Sequence, residues 1–191
     1  MPIFNAGALN VRGGSVHIGT SAAVAPTSAT APLAQTWTTL GRYGQDGLTE
    51  SRSRSTTQTK DQWGETVFEV VTESGLTYEA TFLETVAPVL EQFYASTVSD
   101  TGEQVIVPGL MAKRAPFVID AVLEDANGAR WIERHYVPVG QTVETGDRNR
   151  KQGDVAGYKL KIRAYPSSTI TDTASGQAGS SKIFRSAVSA S

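Results

Sequence analysis

Between Trp37 and Tyr94 the chain sets out, in order, a glycine-punctuated turn, a long polar strand-like stretch, an apolar hairpin and a short amphipathic helix. That order, more than any single motif, limits what the chain can fold into. The turn is Leu40-Gly41-Arg42-Tyr43-Gly44-Gln45-Asp46-Gly47-Leu48, the polar stretch runs from Thr49 to Lys60, and Trp63-Gly64 closes it. Val67, Phe68, Val70 and Val71 then read as a strand, Thr72-Glu73-Ser74-Gly75 as a turn, and Leu76, Tyr78, Ala80 and Phe82 as an alternating return, a hairpin expected to bury one face strongly. Thr85 is placed to cap a helix with Pro88 in its first turn, where a missing backbone donor costs little, and Val86, Val89, Leu90 and Phe93 share one stripe.

Further along, Arg114 to Glu124 reads as a strand with Phe117, Ile119, Ala121 and Leu123 on one face and Val118 and Val122 on the other, so both faces need cover. Asp125-Ala126-Asn127-Gly128 is a hairpin turn, because Asn-Gly accepts the positive φ of a tight reversal, and Trp131, Ile132, Tyr136 and Val137 follow on the return. After Pro138-Val139-Gly140, Gln141 to Glu144 reads as a separate short strand and Val155 to Tyr165 as a last long one. In that last strand Tyr158, Leu160, Ile162 and Ala164 alternate with Lys159, Lys161 and Arg163, an outer face that is basic and wet.

With 191 residues and 39% hydrophobic content the chain has material for one sizeable core. Apolar and aromatic residues gather in the middle, which predicts an N-terminal arm over 1–32, a β-domain over 33–166 and a Ser/Ala-rich tail over 167–191. Ser15-Val16-His17-Ile18 is the one strand expected in the first arm. Ile183-Phe184 is the apolar anchor by which the tail docks. Both arms are expected to serve assembly more than subunit folding.

A formal net charge of -2 argues against a broad basic face that grips nucleic acid. Without cysteine there is neither a disulfide nor a thiolate metal site. No apolar run approaches the roughly 20 residues of a membrane helix, and Ile3, Phe4, Ala6, Ala8 and Leu9 are interrupted and lack a preceding Lys or Arg, which predicts a soluble, cytoplasmically made protein with no signal peptide.

No catalytic constellation stands out, and the chain is expected to be neither an enzyme nor a cofactor protein. His17 and His135 read as strand residues, and Glu133 and His135 as a solvated pair on one strand face. Gly41, Gly44 and Gly47 have turn spacing and no following helix start to aim amides at a phosphate. Glu124-Asp125 sits at a hairpin mouth, where charge serves solvation, and no Gly-x-Ser-x-Gly elbow occurs. Strand alternation puts Arg52 and Arg54 of Ser51-Arg52-Ser53-Arg54-Ser55 on one face, without aromatic residues nearby to stack bases. The candidate subunit-interface or lumen residues are Asp46, Glu50, Arg52, Arg54, Lys60, Arg148, Arg150, Lys151, Ile183 and Phe184. Among them, Arg52 and Arg54 are expected to meet Glu50 or Asp46 of a neighbour, and Arg148, Arg150 and Lys151, beside Asp147 and Asp154, form a mixed-charge loop.

Trp37-Thr38-Thr39-Leu40-Gly41, then Gln45-Asp46-Gly47-Leu48-Thr49-Glu50-Ser51, then Lys60-Asp61-Gln62-Trp63-Gly64, followed by Thr77 to Tyr94 with Leu83-Glu84-Thr85 before the helix, occur in an order and with gaps that resemble the major tail protein of long non-contractile-tailed bacteriophages. The resemblance spans about Ser15 to Tyr165. It implies a mainly β fold with one short α-helix, a β-sandwich or partial barrel of the phage tail tube type with extended N- and C-terminal arms, shared with the tube of type VI secretion systems. It also implies a virion structural protein, assembled in the host cytoplasm, whose copies form stacked hexameric rings around a bore that conducts the genome during ejection. The implied partners are further copies of the chain, a tape measure and a tail terminator, and double-stranded DNA in transit without specific binding. A β-sandwich surface- or carbohydrate-binding module and a single-ring tail-completion protein are the alternatives.

Overall fold

The computed structural model describes residues 9–148, 152–153 and 155–188. Along these residues run β1 (Asn10–Gly19), β2 (Trp37–Thr39), β3 (Tyr43–Lys60), β4 (Thr66–Phe82), α1 (Ala87–Tyr94), β5 (Ala115–Glu124), β6 (Arg130–Thr145), β7 (Tyr158–Ala164), β8 (Ser167–Thr171), β9 (Ala178–Gly179) and β10 (Lys182–Val188). Seven strands pair antiparallel in the order β2-β1-β5-β6-β7-β4-β3, and β10 adds to β6. The two ends of that path, β2 and β3, are joined by Leu40–Arg42 alone, so the sheet has to curl until its edges stand close together. Gly14 of β1 meets β3 there, since a Cβ on it would collide with the Tyr43 hydroxyl. The fold is mainly β with one short helix, a β-sandwich or partial barrel, as the sequence predicts.

The curled sheet encloses Val16, Tyr78, Phe82, Phe117, Ile119, Val137, Tyr158, Leu160 and Ile162, all buried. The alternation of β7 is as expected, with Tyr158, Leu160, Ile162 and Ala164 inward. Helix α1 packs on the core through fully buried Val89, while Phe93 is half-buried and stacks edge-on against Tyr158 at 5.3 Å. Buried Gln92 is satisfied by the Thr142 hydroxyl, which donates to its Oε1 at 2.8 Å. The cap differs from expectation: Val86 is the N-cap without a side-chain hydrogen bond, and the Thr85 hydroxyl lies 3.4 Å from the Tyr158 hydroxyl instead.

Both faces of β5 are covered by the chain itself. Phe117 and Ile119 point into the barrel, and Val118 packs outside with Trp37 and Tyr136 under Ala23, Leu33, Ile170 and Phe184. Arg134 holds this outer layer down. Its guanidinium donates to both Asp120 oxygens at 2.7 and 2.8 Å and to the Ala31 and Ser28 carbonyls at 2.6 and 3.2 Å. The Asn-Gly turn forms as predicted, with Asp125 Oδ1 accepting from the Asn127 and Ala129 amides and Gly128 at φ 81°.

Three strand assignments change. Gln141 to Glu144 is not a separate strand, because β6 runs unbroken through Pro138, passing from β10 (Arg130 to Tyr136) to β7 (Gly140 to Thr145) as its partner on that side. Pro138 lies between the two ladders and has no register partner, so its missing amide breaks no ladder pair. The glycine-rich stretch over 40–48 is not a free turn: β3 begins at Tyr43 and is irregular up to Leu48, with Gly47 at φ 74°. The end segments also carry sheet structure. Val16 in β1 is fully buried, and β10 makes seven register pairs with β6, so the 33 boundary falls between two paired strands, β1 and β2.

Phe82, fully buried, and Phe93, half-buried, predict different costs on truncation. Phe82→Ala is expected to destabilise the subunit by about 3–5 kcal/mol and Phe93→Ala by less. Urea denaturation of the two variants checks the order, and equal losses would contradict it.

Candidate functional site at the projecting hairpin

The β4–β7 ladder ends where Leu76 faces Ala164, so Thr66 to Gly75 has a partner only in β3. Beyond the barrel β3 and β4 therefore continue as a two-stranded ribbon. The reversal is at its far end and not at Thr72–Gly75: Asp61 Oδ1 accepts from the Trp63 and Glu65 amides, each at 2.9 Å, and Gly64 takes φ 84°. Gly75 serves close cross-strand approach instead, since a Cβ there would stand 2.8 Å from Ser53 Oγ.

The apolar residues of the ribbon are exposed rather than buried, which reverses the expectation of a strongly buried face. Trp63 is 79% exposed, Val67 68% and Phe68 60%, and Val70 and Val71 stand open as well. The register skips Thr72 between Glu73 and Val71, a bulge. Directly opposed residues share a face, so Val71 lies with Thr56 on the Arg52–Arg54 side and Phe68 and Val70 lie with Thr59 and Thr57 on the other. Each face of the ribbon thus carries uncovered apolar groups. A two-stranded hairpin is marginal in water without such cover.

A cavity of about 480 Å³ lies at the ribbon's base, lined among others by Glu50, Arg52, Arg54, Tyr78, Arg163 and Ser181. One polar chain crosses its wall. Arg52 pairs with Glu50 at 3.5 Å, and Glu50 reaches His135 Nδ1 at 3.5 Å. The Tyr78 hydroxyl lies 3.0 Å from the same nitrogen and donates to Ser181 Oγ at 3.2 Å. His135 Nε2 meets Glu133 at 2.8 Å, and Arg185 donates to the other Glu133 oxygen. Glu133 and His135 share a face as expected, but the pair is not solvated: the His135 side chain is 8% exposed.

Burial pushes the Tyr78 phenol up to about 12, so it stays protonated and acts as a hydrogen-bond donor. Burial works to raise the Glu133 carboxyl too, but hydrogen bonds from His135 and Arg185, with their charges, outweigh it and hold the group below its ordinary value. The network joins β3, β4, β6 and β10, and it fastens the root of the ribbon to the C-terminal segment.

The sequence candidates are dispersed. Arg52 and Arg54 share a face as expected, yet Glu50 pairs with Arg52 within one subunit; Asp46 and Lys60 are exposed on β3. Arg148 is engaged inside its own subunit, stacked 4.3 Å over the Tyr158 ring with Nη1 3.4 Å from the Tyr94 hydroxyl. Arg150 and Lys151 lie outside the described residues. Ile183 and Phe184 stand opposite His135 and Arg134 on β10, where Phe184 joins the outer cluster. A second exposed apolar surface was not anticipated: Val105 (75% exposed), Ile106, Val107, Leu110 and Met111 follow α1. Its signal was three β-branched residues in a row before Pro108-Gly109.

Among the described residues no group of three or more His, Asp or Glu side chains could share a metal ion, and no helix is long and apolar enough to cross a membrane. Compared with protein-family models and with curated proteins, the chain matches none. Among solved structures it is similar to a crystal structure of Hcp protein, at 12% identity and a TM-score of 0.35, over 90% of this chain and 98% of that one. Similarity of that degree leaves the chain's own surfaces to speak for its function.

The Glu133 contacts predict an acid limb of stability. Its folded pKa lies below the ordinary 4.5, so its contribution is complete above that value and is lost as pH falls through the folded pKa. Melting temperatures of the wild type and Glu133→Gln, followed from about pH 7 down to about pH 3, are expected to converge toward the acid end. A constant gap across that range would show that the carboxylate is not the source.

Proposed function

We propose that the chain is a virion structural subunit whose copies assemble through the projecting hairpin into stacked hexameric rings, forming the tail tube of a long non-contractile-tailed bacteriophage. The observation that carries this reading is the ribbon itself, apolar, uncovered and held out from the barrel on a buried polar root. Such a surface on a single chain calls for a protein partner, and each copy brings two complementary edges. β3 ends the sheet path, and β4 is open from Thr66 to Gly75, so the β3 edge of one copy can pair with the β4 edge of the next. That contact is heterologous, and closing it by rotation into a ring removes the open edges.

The ribbon carries Arg54 and Lys60 against Glu65, Glu69 and Glu73, so a bore built from it has no dense basic lining. DNA passes through such a bore without being held. In this reading the subunit meets a tape measure and a tail terminator at the ends of the tube, is assembled in the host cytoplasm, is not itself inserted in a membrane and serves genome ejection. A single closed ring, as in a tail-completion protein, uses the same edges and differs in copy number per particle.

Trp63 favours one other reading. An aromatic ring standing free on a loop is what a carbohydrate- or surface-binding module presents, and glycan-array binding lost in Trp63→Ala without loss of folding would support it.

Negative-stain electron microscopy of the purified protein is expected to show rings or tubes. Phe68→Asp combined with Val70→Asp is expected to abolish them with the melting temperature unchanged, because neither residue belongs to the core. Monomers at high concentration, even with tape measure and terminator supplied, would sink the assembly reading.

A further inference from the structure

We propose that His135 is a proton-operated latch: with both ring nitrogens protonated it bridges Glu50 of β3 to Glu133 of β6, and on losing the Nδ1 proton it lets go of Glu50 and turns the Tyr78 hydroxyl from Ser181 toward itself. The latch lies within one chain and is independent of how copies assemble.

A count of protons carries it. Against the cost of burial, hydrogen bonds from His135 and Arg185 keep Glu133 ionised, so its oxygen 2.8 Å from His135 Nε2 can only accept, and Nε2 carries a hydrogen. Tyr78 keeps its phenol proton, because burial pushes that group up to about 12, and it has one proton to give. Its oxygen stands 3.0 Å from His135 Nδ1 and 3.2 Å from Ser181 Oγ. With the Tyr78 proton directed to Ser181, the contact with Nδ1 needs a hydrogen from the ring, which then carries two and is positively charged. With a neutral ring, Nδ1 is bare, Tyr78 donates to it, and Ser181 has to donate back to Tyr78. The charge of the ring and the direction of the Tyr78–Ser181 hydrogen bond are therefore one variable.

The surroundings make the two states unequal. Glu50 Oε2 from β3 is 3.5 Å from Nδ1, and Arg52 is 3.5 Å from the other Glu50 oxygen. Glu133 on β6 holds Nε2 and accepts from Arg185 of β10. The residues in register with His135 on β5 and β10 are Ile119 and Ile183, which bring no charge. Arg134 and Asp120 pair with each other on the opposite face of the sheet, and Lys182 lies over the Phe184 ring. An imidazolium thus sits between two carboxylates, each balanced by its own arginine. A bare Nδ1 instead turns its lone pair toward the Glu50 carboxylate, acceptor against acceptor, and the His135 side chain is 8% exposed, which leaves little room for water to mediate.

The sign follows from the geometry. Histidine is the side chain that ordinarily changes charge between about pH 5 and pH 8. At the acid end of that range the foot of β3 is tied to β6; as pH rises and the Nδ1 proton leaves, the Glu50 link is lost and the foot of β3 loosens.

The ring 15N shifts of full-length protein labelled at histidine, read by magic-angle-spinning NMR, test the first step, with His17 assigned by difference in a His17→Gln chain. Two protonated nitrogens in His135 are expected at about pH 5 and a bare Nδ1 at about pH 8. A ring that keeps one protonation state at both ends would overturn the latch. Hydrogen exchange read by mass spectrometry over 49–53, corrected for intrinsic rate, tests the second step and is expected to rise at least about threefold between the same two pH values. Glu50→Gln, whose side-chain amide can donate to a bare Nδ1, is expected to flatten that rise while melting like the wild type at about pH 5. No rise in the wild type, or an equal rise in Glu50→Gln, would overturn the link between the proton and the foot of β3.

Discussion

A mismatch of strand lengths governs this molecule. β4 has 17 residues and its neighbour β7 has 7, so β4 is sandwiched between two strands only from Leu76 to Phe82. Inside that limit the residues that alternate inward are buried, as at Tyr78, Ala80 and Phe82. Past it the same strand loses its second neighbour and the barrel interior together, and equally apolar residues at Val67, Phe68, Val70 and Val71 stand in water. The ribbon exists because β3 continues with β4 for its whole length, making the largest strand pair in the sheet.

The barrel can hold such a lever because its own layers are satisfied within one chain. β5 is apolar on both faces, one turned into the core and the other under the segments around Ala23, Leu33, Ile170 and Phe184. Arg134 is the pin of that outer layer, with a nearly buried guanidinium whose three nitrogens each donate to oxygen. Removing its partners would strand a charge, which is why such a pair stabilises one arrangement of the layer more than it adds net stability. At the ribbon's root the Glu50–His135–Glu133 chain ties the start of an otherwise thin hairpin to β6.

Local patterning was readable in the sequence wherever a residue's neighbours along the chain decide its state. The period of β7, the Asn127-Gly128 reversal, the strand at Val16 and the stripe around Val89 all follow from alternation, turn chemistry and helical spacing. Errors fell where the deciding neighbour was distant. Thr72–Gly75 has turn composition, but Asp61 and Gly64 make the stronger reversal, and with the turn placed there Gly75 falls opposite Ser53 in a continuous ladder. Pro138-Val139-Gly140 reads as a break, yet β6 changes partners across it without stopping.

The sequence by itself determined a β-rich chain with one short helix, because strand alternation and turn residues act over a few positions and need no knowledge of the rest. It also determined that Arg52 and Arg54 share a face, since a strand's pleat dictates that. Only the tertiary structure decided which apolar residues are core and which are surface. Val71 and Val137 are alike in chemistry, but one lies beyond the end of β7 and the other sits on β6 beside Phe117 of β5, in the barrel core. Burial is a property of the space around a side chain, and here that space is set by where a partner strand, far away in the chain, comes to an end.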